Sequence, residues 1–397
     1  MSEAGIPRRP IWQDISSTAV GAGFLTVMVS YSGPLLVYLS ASKAMEISTS
    51  MFVSWVFAIS IGAGLSSIFL SLWLRVPISM AWSAPGTVLL ISIGTSMSIA
   101  EIITAYLVVA VSLIFIGLSG VFEKLVRLLP PAVTNGMMAG ILFGFGLRAA
   151  QGFTTDPVIV GILIAAFVVL TVLVPRYAVL CLLGIAVVLT ALFYDTPIGD
   201  VGLKVATPIL WIPELSVTAI ATLAVPLLIT TLSGQYLPGV AILRANGFAV
   251  STRPILVVGG IASVGAAFFG GISIALASIT AAFCASPDSH ENPDRRYIAG
   301  VVSGCFYCLG GIFAGSIVDF LILLPTAIIA LLAGLALLPA IQKFMTDMLA
   351  GDDVQAGLLT FLFTTSGMTM FGVGSAFWGV LIGLLAAFIM RSVKNLR

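Results

Sequence analysis

Charged side chains are scarce in this chain. Asp, Glu, Lys and Arg make up 8% of its 397 residues, whereas a soluble domain of ordinary composition carries about 25%. The 17 basic residues are scattered between apolar segments, and the formal net charge is only +1. That pattern forms no basic surface for nucleic acid. We therefore expect no nucleic-acid partner and no separate soluble domain.

Groups for metal, redox or covalent chemistry are equally few. The sequence contains one histidine and four cysteines. Cys305 and Cys308 form a lone CxxC inside an apolar segment, without a second pair or a nearby histidine, so the spacing does not indicate a metal site. An enzyme acting inside the membrane would need a nucleophile with a base, or a metal cluster. We expect no metal, no cofactor and no enzymatic activity.

Long hydrophobic runs dominate instead, and 59% of the residues are hydrophobic. A helix needs about 20 mostly apolar residues to cross a bilayer. Twelve segments approach that length, near residues 15–39, 48–73, 100–120, 130–148, 157–174, 177–194, 217–240, 253–269, 297–320, 325–341, 354–370 and 372–390. Two shorter stretches, 84–95 and 275–285, are predicted half-helices. The sequence thus predicts an all-α integral membrane protein of fourteen transmembrane segments, with segments 3 and 10 as the half-helices.

The two halves of the chain resemble each other. Pro131 in Leu129-Pro130-Pro131 matches Pro325 at an offset of 194 residues, and Ala84 matches Ala277 at an offset of 193. Because each half holds seven segments, an odd number, the second half must be inserted upside down, as in the inverted repeats of secondary transporters. The alternative is chance similarity between helices rich in Leu, Ala and Gly.

The basic residues predict an orientation in the membrane. Placing both termini in the cytoplasm puts fourteen of the 17 Lys and Arg residues on that side and leaves only Lys43, Arg148 and Lys204 outside. Cytoplasmic loops carry such an excess of positive charge. We expect a multi-pass protein of a bacterial-type inner membrane with both termini cytoplasmic.

The half-helices indicate a binding site, because interrupted helices survive in a membrane only where they line a cavity or are buried in protein. In an inverted repeat their N-termini converge near mid-membrane and direct free N–H groups at one place, which suits an anion. The alternative is a pair of Pro- or Gly-kinked spans with packed serines. The predicted site residues are Ser83, Ala84, Pro85, Gly86 and Thr87 in the first half, and Gly271, Ile272, Ser273, Ala277 and Ser278 in the second.

Helix dipoles alone do not hold an anion at this depth. A charge at the bilayer centre costs at least ~2.5–3.5 kcal/mol, while one helix terminus returns ~0.3–1 kcal/mol and at best ~2. Hydrogen bonds to a charged group contribute ~1.5–3 kcal/mol each. Either such bonds come from the site hydroxyls and backbone amides, or a proton accompanies the anion.

Residues 230–239 form the most polar stretch inside any full segment. Gln235 is the predicted ligand contact there, beside Tyr236, because an amide offers two donors and an acceptor without the cost of a charge. A hydrogen bond between helices is the alternative role. Tyr31 is a weaker candidate. The Gly33-Pro34 pair beside it is equally well explained as a simple kink in the first segment.

Titratable groups within the segments are few. Glu101 opens the segment after the first half-helix, and Asp319 ends the segment before Leu324-Pro325. Both are candidates for proton coupling, and the alternative is that each is an ordinary residue of the membrane interface.

Four motifs in this chain are far more specific than its hydropathy pattern: Arg75-Val76-Pro77, Ala81-Trp82-Ser83-Ala84-Pro85-Gly86, Ser278-Ile279-Thr280-Ala281-Ala282 and Gly372-Val373-Gly374-Ser375-Ala376-Phe377-Trp378-Gly379. Together they resemble the benzoate:proton symporter (BenE-type) family. The resemblance covers nearly the whole chain. It implies the fold shared with nucleobase, ascorbate and sulfate carriers, with a core domain at 1–120 and 216–320 and a gate domain at 121–215 and 321–397.

The resemblance also implies uptake of benzoate or a related aromatic carboxylate with a proton, as the core moves against the gate. Nucleobase carriers have acidic residues at two core positions where this chain has Gln235 and Ile272. The proton would then be carried by an acid such as Glu101 or by the substrate's own carboxylate. The alternative functions are a passive anion channel or facilitator and a carrier of another small anion or nucleobase.

Small-residue motifs such as the one from Gly140 to Gly146 serve contacts within one chain and between two copies equally well. The sequence therefore leaves a homodimer open.

Overall fold

A computed structural model of the protein describes residues 11–93, 96–175, 177–194, 202–350 and 352–394. Helices occupy most of the first half: α1 (Ser17–Ser32), α2 (Pro34–Ala44), α3 (Thr49–Leu74), α4 (Ala84–Ile93), α5 (Ile99–Ser119), α6 (Phe122–Leu128), α7 (Pro131–Gln151), α8 (Pro157–Leu173) and α9 (Ala178–Phe193). A three-residue strand, β1 (Met80–Trp82), directly precedes α4.

The second half follows a related order. Its elements are α10 (Val217–Ala219), α11 (Val225–Thr231), α12 (Leu237–Ala245), α13 (Thr252–Ala267), β2 (Ile274–Leu276), α14 (Ser278–Ala285), α15 (Tyr297–Ile312), α16 (Ala314–Ile322), α17 (Thr326–Leu349), α18 (Val354–Thr365), β3 (Thr369–Met370), β4 (Val373–Gly374) and α19 (Ser375–Lys394). Single 3-10 turns lie at Ile11–Gln13, Gly152–Thr154 and Pro293–Arg295.

Six helical stretches in the described part of the chain are long and apolar enough to cross a membrane, and a bent pair makes a seventh. Four further apolar helices have 10–17 residues. Large apolar side chains point outward along these helices, as at Phe115, Val172 and Leu192. A multi-pass membrane protein explains that exposure, since lipid is the surrounding solvent. The fourteen-segment inverted repeat, the core and gate boundaries and the orientation of the termini stay predictions.

Three predicted continuous segments are interrupted. Near residues 15–39, the helix breaks at Gly33 because Pro34 lacks an N–H and starts α2 at its first position. The segment predicted at 297–320 bends by 71° between α15 and α16, and the predicted domain boundary at 320 falls inside α16. The segment at 217–240 contains two π-helical turns, Ile220–Ala224 and Leu232–Tyr236, a distortion often found at functional sites.

The first half-helix is confirmed as α4, which runs from Ala84 to Ile93, and residues 94 and 95 lie outside the described part. The second prediction, a helix from residue 275, is wrong at its start. Ile274–Leu276 form β2, which pairs antiparallel with β1, with Met80 opposite Leu276 and Trp82 opposite Ile274. Helix α14 begins only at Ser278.

Side chains form hydrogen bonds with the backbone groups on the outer edges of this strand pair. The Met80 N–H donates to Ser67 Oγ (2.8 Å) and the Ile274 N–H donates to Ser263 Oγ (2.8 Å). Tyr236 Oη donates to the Ile274 carbonyl oxygen at 3.2 Å. An unpaired backbone group in this apolar interior would cost several kcal/mol by the usual ~2–7 kcal/mol scale, so these side chains make an isolated two-stranded ribbon tolerable.

A buried carboxylate joins the chain before α1 to the helix ends beside it. Asp14 is only 6% exposed. Its oxygens lie 3.6 Å from Arg75 Nη1 and 3.4 Å from Arg295 Nε, and Tyr297 Oη donates to Asp14 at 2.8 Å. Arg75 also lies over the Tyr297 ring, with its Cζ 4.5 Å from the centroid. The cluster therefore ties residue 14 to the C-terminus of α3 and the N-terminus of α15.

Asp14→Asn is expected to lower the free energy of unfolding by about 1–3 kcal/mol, because it removes a charge that accepts a hydrogen bond and pairs with two arginines. Thermal unfolding in detergent measures the effect. Glu123→Gln is the matched control, since Glu123 and Arg244 form a half-exposed pair at 3.9 Å and such pairs contribute ~0–1 kcal/mol. Equal losses in the two variants would contradict this role for Asp14.

Candidate functional site

The two short helices α4 and α14 start on opposite ends of one strand pair. The Ser83 N–H donates to the Ser273 carbonyl oxygen at 3.1 Å, which extends the pairing of β1 and β2 by one position. Helix α4 begins at Ala84, one residue beyond that bond, and α14 begins at Ser278, two residues beyond β2. The first turns of both helices, whose N–H groups have no partner within the helix, therefore lie in the space beside the ribbon.

A cavity of about 700 Å³ occupies that space. Its wall combines the short helices with α1, α2, the π-helical turn Leu232–Tyr236, α12, α7 and α17. The lining residues are mostly apolar, and they include Trp82, Ala84, Pro85, Thr134, Asn135, Ser233, Gly234, Gln235, Ala277, Ser278, Thr280, Phe283, Lys343, Phe344 and Asp347.

Most hydroxyl groups on this wall already donate to the protein. Ser233 Oγ donates to the Ile229 carbonyl oxygen (2.6 Å), Thr280 Oγ1 to Ala277 (3.1 Å), and Thr134 Oγ1 to Pro131 (3.1 Å). These hydroxyls have their hydrogen committed, so they contribute little to binding an anion.

Three polar side chains of the described wall make no hydrogen bond to the protein: Gln235, Ser278 and Asn135. Gln235 is only 8% exposed. Its amide opens onto the cavity, so a ligand or water there can supply the hydrogen bonds that the protein does not. Gln235 lies in a π-helical turn, and Ser278 is the first residue of α14. Both face the cavity beside the starts of the short helices.

Aromatic side chains complete the wall. Trp82, Phe283 and Phe344 line the cavity, and the Trp82 ring packs against Tyr31 with centroids 6.0 Å apart. The indole N–H of Trp82 is buried without a protein partner. A flat apolar ring with one polar end fits such a space, since ligand cavities combine apolar walls with few directed polar groups.

Five of the predicted site residues line the cavity: Ala84, Pro85, Gln235, Ala277 and Ser278. The others of the first half lie behind its wall. Ser83 Oγ accepts from the Gly86 N–H at 3.2 Å and so caps α4, while Thr87 Oγ1 donates to the Ser83 carbonyl oxygen at 2.9 Å. A Cβ on Gly86 would lie 2.3 Å from Leu227 Cδ1, so this glycine allows α4 to approach α11 closely.

The remaining candidates of the second half are also set back from the cavity. Ser273 Oγ lies 3.4 Å from Thr231 Oγ1, and Tyr236 anchors β2. Gly271 packs against Ala58, and the Ile272 N–H donates to Tyr38 Oη at 3.3 Å. Each of these contacts fixes the ribbon that positions the cavity wall.

Tyr31 and the two candidate proton carriers also lie outside the described lining of the cavity. Tyr31 Oη is hydrogen-bonded to Ser60 Oγ at 2.8 Å. Glu101 closes a capping box with Ser98 at the start of α5, and Asp319 Oδ2 lies 2.6 Å from Lys204 Nζ. Glu101 thus serves as a helix cap and Asp319 as a partner in a surface ion pair, and neither needs a role in proton transfer to explain its position.

Several lining residues escaped the sequence analysis, above all Asn135, Lys343 and Asp347. Lys343 and Asp347 are four residues apart on α17, a helix that is otherwise mostly apolar. An isolated charge pair in an apolar helix is the sequence feature that could have indicated a role at the cavity. Asn135 lies within the repeated Pro131 motif, but nothing in its surroundings separates a ligand contact from an inter-helix bond.

The fold and the cavity define a class: a helical membrane transport protein with a cavity between interrupted helices. Solved structures of anion carriers share this fold. The transmembrane domain of the cyanobacterial bicarbonate transporter BicA aligns with a TM-score of 0.56 at 15% identity, over 94% of this chain and 97% of that domain. The mouse Slc26a9 anion transporter in its inward-facing state aligns with a TM-score of 0.67 at 12% identity, over 99% and 74%.

The chain belongs to the family described as benzoate membrane transport protein, which it matches over residues 13–389. It is 43% identical to the benzoate membrane transport protein of Acinetobacter baylyi, over 96% of this chain and 97% of that one. It is 33% identical to the inner membrane protein YdcO of Escherichia coli, over 94% and 96%. These relatives are bacterial, and membrane transport rather than enzymatic activity is the property of the family.

Proposed function

We propose that this protein carries benzoate or a related aromatic carboxylate across the bacterial inner membrane together with a proton. The observation that carries the proposal is the cavity between the short helices, where apolar and aromatic walls surround uncommitted polar side chains, of which Gln235 and Ser278 lie beside the helix starts. The similarity to the benzoate membrane transport protein of Acinetobacter baylyi supports the choice of substrate.

In the proposed complex the aromatic ring packs among Trp82, Phe283 and Phe344. The carboxylate lies toward Gln235 and Ser278, within reach of the free N–H groups that open α14. Ala84, Pro85 and Ala277 shape the wall on either side of the ribbon. The wall is supported from behind by Ser83, Thr87, Ile272, Ser273 and Tyr236 through hydrogen bonds, and by Gly86 and Gly271 through close packing.

The proposed proton travels on the substrate's own carboxyl group. A neutral acid avoids the ~2.5–3.5 kcal/mol cost of a charge at mid-membrane. Glu101 and Asp319 are each engaged away from the cavity, and the two core positions Gln235 and Ile272 cannot titrate. This arrangement supports a carrier in which the anion binds at Gln235 and takes up its proton there, so that the neutral acid is the species moved across the membrane.

The movement we propose is an elevator-like displacement of the core domain against the gate domain, with the short helices in the core and α7 and α17 in the gate. Under the predicted orientation Lys343 is cytoplasmic, so the cavity opens toward the cytoplasm. Alternating access then requires the core to carry Gln235 and Ser278 past the gate helices.

The test is uptake of labelled benzoate into proteoliposomes that contain the purified protein. We expect saturable uptake that accumulates benzoate under an inward proton gradient and stops when a protonophore removes the gradient. Bicarbonate, sulfate and uracil serve as competitors, and protein-free liposomes control for diffusion of benzoic acid. Saturable flux that ignores the gradient would indicate a facilitator, and preferential inhibition by uracil or bicarbonate would reassign the substrate.

A further inference from the structure

The gate side of the cavity carries one ion pair. Lys343 Nζ lies 2.6 Å from Asp347 Oδ2, one turn further along α17. Their side chains are 60% and 41% exposed, and both line the cavity. Among the described side chains of the lining they are the only ionisable ones. The other described ion pairs, such as Arg391 with Asp353, involve no lining residue.

The pair lies close to the inner site. Phe344 follows Lys343 directly and lines the cavity. Its Cζ is 3.9 Å from the position that a Cβ on Gly234 would occupy, so α17 touches the chain next to Gln235. An anion moving between the exposed mouth and Gln235 therefore passes Lys343 and Phe344 in succession.

A lysine held by an aspartate can exchange one carboxylate for another. The exchange keeps the charge of Lys343 balanced, and because both side chains are half exposed, the displaced Asp347 remains hydrated. An apolar wall without such a group would present the anion with a desolvation cost and no counter-charge.

We propose that Lys343 is a second anion subsite at the cavity mouth, where it binds the carboxylate of an aromatic acid in competition with Asp347. The inference rests on the proposed function, because it takes the same class of substrate. Phe344 supplies the ring contact at this subsite, and Asp347 keeps Lys343 occupied when no substrate is present.

The proposal predicts opposite effects for the two partners. In equilibrium binding of labelled benzoate to detergent-solubilised protein, Lys343→Gln should raise the Kd about fivefold, and Asp347→Asn should lower it by a similar factor because Lys343 loses its competitor. Adding Asp347→Asn to Lys343→Gln should change nothing further. Lys343→Arg should restore most of the affinity, and added salt should weaken binding less in Lys343→Gln than in the wild type.

Arg391→Gln, which breaks the Asp353 pair away from the cavity, is the matched control and should leave the Kd unchanged. Equal weakening by Lys343→Gln and Asp347→Asn would show that the pair only stabilises α17, and would overturn the subsite while leaving the proposed function intact. An unchanged Kd in both would also overturn it. Absence of benzoate binding in the wild type would instead overturn the proposed function, and the subsite with it.

Discussion

Gln235→Leu should raise the KM for benzoate by a factor on the order of 10 to 100. Leucine keeps the volume of the side chain but removes the one buried amide of the cavity that has no partner in the protein. A hydrogen bond to a charged group contributes ~1.5–3 kcal/mol, and each ~1.4 kcal/mol corresponds to tenfold in affinity. Initial rates of benzoate uptake in proteoliposomes measure the change.

Ser233→Ala is the matched control for Gln235. Ser233 lines the same cavity two residues earlier, but its hydroxyl already donates to the Ile229 carbonyl oxygen. We expect its KM to stay within about twofold of the wild type, because no free donor is lost. If Ser233→Ala weakens uptake as much as Gln235→Leu, the effect comes from distortion of the π-helical turn. If Gln235→Leu has no effect on KM, the binding site lies elsewhere.

Gly140→Leu should prevent α7 from packing against α18. Any Cβ at Gly140 would lie 2.8 Å from Thr364 Cβ and 2.9 Å from the Phe361 carbonyl oxygen. Because one of these atoms is backbone, the two helices must separate to relieve the clash. Overpacking of this kind costs about 1–3 kcal/mol and more where backbone has to move. We expect loss of the monodisperse peak in size-exclusion chromatography, or a fall in Tm of several degrees.

The same substitution one turn later gives the control. Among the described residues, a Cβ at Gly144 meets no atom within 4 Å outside its own stretch of helix, so Gly144→Leu should fold with a Tm near that of the wild type. Loss of folded protein in Gly144→Leu as well would mean that residues 140–146 resist any enlargement, for instance through a contact between two copies of the chain. Wild-type behaviour of Gly140→Leu would contradict the packing of α7 on α18.

Much of the helical organisation was predictable because it follows from local chemistry. Runs of apolar residues of sufficient length predict the membrane helices. The Gly33-Pro34 pair predicts a kink in the first of them, at the place where α1 ends and α2 begins. The start of α4 at Ala84 follows from the capping serine and the early proline. The strand at Ile274–Leu276 was not predictable in this way, because its pairing partner lies almost 200 residues earlier in the chain.

The candidate site was predictable only in outline. Ser83 and Ser278 both lie at the start of a short helix, yet Ser83 caps α4 behind the cavity wall while Ser278 lines the cavity. Which of the two serines reaches the cavity depends on how the strand pair places the two helix starts. Lys343 was an isolated charge in the sequence, and only the folding of α17 against α7 brings it to the same cavity as Gln235.

The sequence by itself determined that this is a multi-pass membrane transport protein of the benzoate family. Its apolar composition requires a lipid environment, and its motifs identify the family. The tertiary structure alone decided which polar groups are open to a ligand and which glycines are crowded. The crowding at a glycine is set by atoms of distant segments, and a polar group is open to a ligand only where such segments leave a cavity beside it. Gly140 and Gly144 lie one turn apart on the same helix, and their surroundings differ through what packs against them.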